Sequence, residues 1–121
     1  MEKEQNHSEA NFQIQLKNIT MLHDGAIHFI EKAIDQLSLD ETESFHTYIT
    51  KTQEIITELI LSLNLEKGGK VVNDLLTVYS FIKKKLIEAS IEKEKSILQD
   101  LVLQLRALRK AWETIFDKIK K

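Results

Sequence analysis

The chain holds no proline and only three glycines in 121 residues. Hairpin turns and sheet corners draw heavily on these two residues, because one presets φ and the other reaches positive φ without strain. A chain almost without them has few ways to reverse a strand. It reads instead as helices joined by short connections.

Four stretches carry a helical period and none reads as a strand. The first spans roughly Phe12 to Leu37, with Ile19, Leu22, Ala26, Phe29, Ile30, Ala33 and Leu37 at three- and four-residue steps that place them on one face. The second spans roughly Glu41 to Leu65, with Phe45, Ile49, Thr52, Ile56, Leu59 and Leu63. Asp40-Glu41-Thr42-Glu43 before it has the form of a capping box. Gly68-Gly69 breaks the chain near its middle. The third stretch, roughly Lys70 to Ala89, shows Val71, Leu75, Val78, Ile82, Leu86 and Ala89 as its stripe. The fourth, roughly Glu94 to Ile119, shows Ile97, Leu98, Leu101, Leu105, Leu108, Trp112, Ile115, Phe116 and Ile119. Four amphipathic helices with short links pack as antiparallel neighbours. The expected fold is therefore all-α, an up-down-up-down four-helix bundle over residues 12–121. Met1 to Asn11 is polar and unpatterned, and is expected to be a flexible tail.

Composition narrows the function. The net charge of −2 gives no reason to expect nucleic acid or an anionic membrane surface. With no cysteine there is no disulfide, thiolate zinc site or thiol nucleophile. No apolar run reaches the ~20 residues that span a bilayer, so a cytoplasmic protein is expected. Helical bundles can hold metals through Glu-x-x-His pairs on two helices plus core carboxylates. This chain has one such pair at mid-length, Glu43 and His46, another in the polar tail, Glu4 and His7, and no Glu on an apolar stripe. Phosphate-cradling glycine loops, G-x-S-x-G and H-E-x-x-H are all absent. No enzyme, metal or cofactor is expected. Asp24 and His28, four residues apart, are placed as a surface pair, His23 as a boundary residue and Trp112 as a core aromatic.

Helix three carries more apolar residues than one stripe uses. Beside the stripe lies a second row, Val72, Leu76, Tyr79 and Ile87, with Phe81 on the other flank. Leu61 on helix two also falls off its stripe. Such a row either widens the buried arc of a helix flanked on both sides or marks a groove for a partner.

Met21-Leu22-His23-Asp24-Gly25-Ala26 resembles the M-L-Y-D-G-A motif of the flagellar export chaperone FliS family. Glu66-Lys67-Gly68-Gly69, then Leu75, Val78-Tyr79, Phe81-Ile82 and the basic run into Leu86, is similar to that family's E-K-G-G and L-x-x-L-Y segment. Glu88-Ala89-Ser90 and Leu108-Arg109-Lys110-Ala111-Trp112 resemble its later motifs, in order and spacing. His23 stands where the family has an aromatic, and the family's Ser/Thr-Pro start and tyrosine-bearing tail are missing. The resemblance implies a chaperone that binds the disordered C-terminal segment of flagellin, prevents premature polymerisation and supports delivery to the export apparatus. Val72, Leu76, Tyr79, Ile87 and Leu61 are then the residues expected to line the groove. Contacts with export-apparatus components and weak self-association through the groove belong to the same picture. The departures also fit a FliS-like helical adaptor with a different protein client.

Overall fold

The computed structural model describes the backbone of residues 2–63 and 69–120 and the side chains of residues 15–63 and 69–114. Four helices run in order: α1 (Glu2–Ser38), α2 (Thr42–Leu61), α3 (Gly69–Glu92) and α4 (Lys95–Lys120). Among the described residues there is no strand. Each helix lies against its sequence neighbour, and α4 returns to lie against α1, so the four occupy the corners of a square. The cross-links run antiparallel throughout. Gly25 of α1 meets Ile55 of α2, Thr57 of α2 meets Lys83 of α3, and Asp24 and Glu31 of α1 meet Arg109 and Arg106 of α4. The backbones of α1 and α3 stay apart across the diagonal. The expected bundle is the observed one.

The core is built by Ala26, Ile30 and Ala33 from α1, Phe45, Ile49, Ile56 and Leu59 from α2, Ile82, Leu86 and Ala89 from α3, and Leu98, Leu101 and Leu105 from α4. Small residues on α1 let α2 approach closely. A methyl on Gly25 would already sit 3.2 Å from Ile55 Cδ1.

Helix ends depart from the sequence reading in informative ways. Asp40 does not open a capping box. Its φ is 59°, and Asp40 N–H and Glu41 N–H donate back to Leu37 O and Gln36 O at 3.2 and 2.9 Å. That is a Schellman closure of α1, with Asp40 as its left-handed residue. A residue spent on ending one helix is not free to cap the next. Glu41 is the N-cap of α2 and makes no side-chain cap bond. Helix α3 ends likewise on Lys93, whose φ is 53° and whose N–H donates to Ala89 O at 2.8 Å. Helix α1 begins at Glu2 rather than near Phe12, since nothing in its first 23 residues, neither Gly nor Pro, interrupts a helix. Gly68 of the expected break lies outside the described residues, as do residues 64–67 and the side chains of Ile115, Phe116 and Ile119.

The face that α3 buries is turned relative to the expected stripe. Val71 and Val78, expected in the core from the stripe, are 57% and 37% exposed. Tyr79, placed on the outer row, is fully buried, while Val72, Leu75 and Leu76 are all half-buried. The buried arc centres on Tyr79, Ile82 and Leu86, roughly half a residue step round from Val71 at ~100° per residue. Large apolar residues at both edges of the arc made its centre ambiguous.

Candidate functional site

His23, Tyr79 and Trp112 come from three helices and meet in one hydrogen-bonded chain. His23 is buried on α1, not at the boundary. Its Nδ1 lies 2.7 Å from Ile19 O, and a carbonyl can only accept, so Nδ1 carries the proton. In the neutral ring Nε2 is then an acceptor. Tyr79 O–H lies 2.8 Å from it and donates. Trp112 Nε1–H donates to the same Tyr79 oxygen, also over 2.8 Å. Every polar atom of the chain is thus paired. Burial pulls the His23 pKa below its usual 6.5, opposed by the Ile19 hydrogen bond and Asp24 and aided by Arg109. Burial pushes the Tyr79 hydroxyl up to about 12, against the Trp112 hydrogen bond. The network joins α1 to α3 across the diagonal, where the backbones do not touch, and ties α4 to both.

Asp24 pairs with Arg109 on α4, rather than with His28 on its own helix. Arg109 Nη2 donates to Asp24 Oδ2 at 3.3 Å, while Nε lies 2.7 Å from Oδ1 but off the N–H direction. Arg109 also holds Glu113. With Arg106–Glu31 at 3.2 Å, these pairs lace the outside of the α1–α4 seam. Exposed pairs of this kind contribute ~0–1 kcal/mol each.

The five residues expected to line a groove do not come together. Tyr79 lies inside the bundle, so it is corrected from a surface contact to a core member. Val72 and Leu76 pack half-buried against the core. Ile87, 51% exposed, borders a shallow furrow between α2 and α3 with Thr50, Gln53, Thr57 and Lys83. Leu61, 77% exposed, belongs to a different hollow, between α1 and α2, with Met21, Leu22 and Glu58.

The opposite edge of α3 holds what the sequence reading missed. Phe81 is exposed on the side facing α4, along the loosest seam of the bundle, and at ~100° per residue the exposed Val71 and Val78 fall on the same flank of α3. Phe81 is 45% exposed and walls a hollow of about 110 Å³ with Ile97, Leu101 and Gln104, rimmed by Lys85 and Asp100. Lys85 Nζ sits 5.6 Å from the centre of the Phe81 ring and pairs with Glu88. An apolar floor with a charged rim suits an aliphatic anchor on a helical or extended peptide. Phe81's place on a flank opposite Tyr79 was the available signal.

His46 of the Glu-x-x-His pair bonds Ser90 at 3.0 Å. Among the described residues no group of three or more His, Cys, Asp or Glu is arranged to hold a metal ion. No described helix is long and apolar enough to cross a membrane.

The family model described as "Flagellar protein FliS" matches residues 2–119. The chain belongs to the FliS family. Relatives named flagellar secretion chaperone FliS include the Campylobacter jejuni protein, 26% identical over 91% of this chain and 86% of its own length. The Bacillus subtilis protein is 25% identical over 84% of this chain and 74% of its own, and the Escherichia coli protein 23% over 82% and 74%. The FliS proteins are thus secretion chaperones of the flagellum by name, a family of chaperones rather than of enzymes. The FliS motif residues find physical roles here. Gly25 seats Ile55 of α2, Ala26 is buried in the core, Asp24 holds Arg109, and Tyr79 and Trp112 bond each other.

Proposed function

We propose that this FliS-family chain is a cytoplasmic export chaperone that holds the C-terminal segment of flagellin along α3. The observation that carries the reading is the uncovered apolar edge of α3, in a chain whose relatives are flagellar secretion chaperones. Val71, Val78 and Phe81 lie exposed beside a hollow with room for one aliphatic side chain. A flagellin C-terminal segment is disordered as a monomer and helical in the filament, so its apolar face needs cover before assembly. Helix-in-groove contacts supply that cover, and the cost of ordering the segment keeps affinity moderate. Moderate affinity allows release at the export apparatus. The first anchor enters the Phe81 hollow, and Val72, Leu76, Ile87 and Leu61 are further contacts for a segment that wraps over α3 toward α2.

Titration calorimetry of the whole chain with a flagellin C-terminal peptide tests this. Saturable binding with a negative heat-capacity change supports it, since burial of apolar surface carries that signature. Absence of binding, with capture of another flagellar export substrate, assigns the chain to an adaptor with a different client.

A further inference from the structure

We propose that His23, Tyr79 and Trp112 form a latch that opens when His23 takes a proton at Nε2, freeing α3 from the opposite corner of the bundle in mildly acidic solution. The donors and acceptors decide this. In the closed form Nδ1–H points at Ile19 O, Nε2 accepts from Tyr79, and the Tyr79 oxygen accepts from Trp112. A proton on Nε2 turns the only acceptor for the Tyr79 hydroxyl into a donor. The phenol oxygen then has to accept from two N–H groups at once, and its own hydrogen is left without a partner in a site closed to water. The imidazolium also loses solvation, because His23 is wholly buried.

Among the described residues, the surrounding charges do not rescue it. Asp24, next to His23 on α1, favours the proton, but it faces outward and is engaged by Arg109 of α4. Arg109 itself opposes the proton, and Glu113 of α4 is committed to Arg109. From α3 the facing group is Tyr79, which stays neutral throughout this range. On the α2 side Glu58 borders the hollow at Met21 and Leu22, outside the core. Tyr79 is flanked in sequence by Val78, with Phe81 two residues on. Opening the latch therefore loosens the part of α3 that carries the exposed edge. That last consequence rests on the chaperone reading; the latch itself does not.

The sign follows from the depressed pKa. Well above pH 6.5, the ordinary value for the ring, folded and unfolded chains both carry a neutral His23 and stability is full. Below it the unfolded chain takes up a proton that the folded chain resists. Stability therefore falls with pH until the folded-state pKa is reached, by up to about tenfold in the unfolding constant per pH unit.

The experiment compares wild type with His23→Gln at pH 7.5 and 5.5. The amide oxygen of Gln can accept from Tyr79 and does not titrate. Wild type should lose more in unfolding constant on acidification than the variant does, up to the tenfold that one resisted proton allows over this interval. Amide hydrogen exchange, corrected for its intrinsic pH dependence, should quicken in residues 76–86 of wild type alone. Equal losses in the two proteins overturn the latch, and so does unchanged protection of α3. If His23→Gln does not fold, the histidine NMR titration of wild type decides. A folded-state pKa at or above 6.5 for His23 overturns the proposal, and one clearly below it with a coupled change in the Trp112 indole resonance supports it. A flagellin peptide arm separates the two readings. Weaker binding at pH 5.5 supports both, while a titrating latch with no peptide binding at either pH leaves the latch standing and removes flagellin as client.

Discussion

Trp112 donates its indole N–H to the hydroxyl of Tyr79 over 2.8 Å, so a half-buried side chain of α4 completes the hydrogen bonding of a fully buried one of α3. The same oxygen serves His23, and removing the hydroxyl strands two groups rather than one. Tyr79→Phe keeps the ring and leaves both His23 Nε2 and Trp112 Nε1 unpaired. It should cost about 2–4 kcal/mol, since a buried unpaired group costs ~1–3 kcal/mol. Trp112→Phe loses a single bond and some area, and should cost about 1–2 kcal/mol. Urea unfolding of each and of the double variant checks both. A double variant no worse than Tyr79→Phe would place their interaction at that one bond.

Lys93 ends α3 at a φ of 53° without being glycine. A left-handed residue with a Cβ costs ~1–2 kcal/mol relative to its relaxed state, and glycine avoids that strain. Lys93→Gly should therefore raise stability by about 0.5–1 kcal/mol, net of the greater freedom glycine gives the unfolded chain. Lys93→Val, branched at Cβ, should lower it by at least as much. Melting temperatures of the pair, read in opposite directions, test the assignment.

The four helices were legible because their signal is redundant. Ile30, Ile56, Ile82 and Leu105 each sit in a run of three- and four-residue steps, and no single substitution hides the period. The phase of α3 was not legible, because Val71 and Val78 on one edge and Val72 and Leu76 on the other weigh nearly alike. Which edge packs is settled by neighbouring helices, a tertiary fact. The burial of His23 is hidden in the sequence for a related reason. A histidine beside a stripe looks like a boundary residue until a partner 56 positions away supplies its second hydrogen bond. The left-handed closures of α1 and α3 are not legible, because Asp40 and Lys93 occupy positions where glycine would have announced them.

The polar segment 1–11 is expected to be dispensable for folding. Among the described side chains of α1, which start at residue 15, the buried ones run from Ile19 to Ala33. Deleting residues 1–11 should leave the melting temperature within about 2 °C, because terminal backbone of this kind adds few buried contacts. A larger fall in a thermal scan would place part of the segment against the bundle.

Phe81 and Ile82 are adjacent on α3 and face opposite fates. Ile82 is fully buried and Phe81 is 45% exposed beside the hollow on the α4 side. Ile82→Asp puts an unpaired carboxylate into the core. The penalty is several kcal/mol, enough to unfold a domain whose total stability is ~5–15 kcal/mol. Phe81→Asp exposes its charge to solvent and loses only the half of the ring that packs. It should cost the free protein no more than about 1–2 kcal/mol. If a client side chain enters the hollow, the same carboxylate sits at the apolar centre of the interface, and binding should weaken at least tenfold. Thermal melts beside calorimetric titration with a flagellin C-terminal peptide separate the cases. A Phe81→Asp variant that melts normally and binds as well as wild type would move the client off this edge, leaving Leu76 and Ile87 on the α2 side as the contacts to test next.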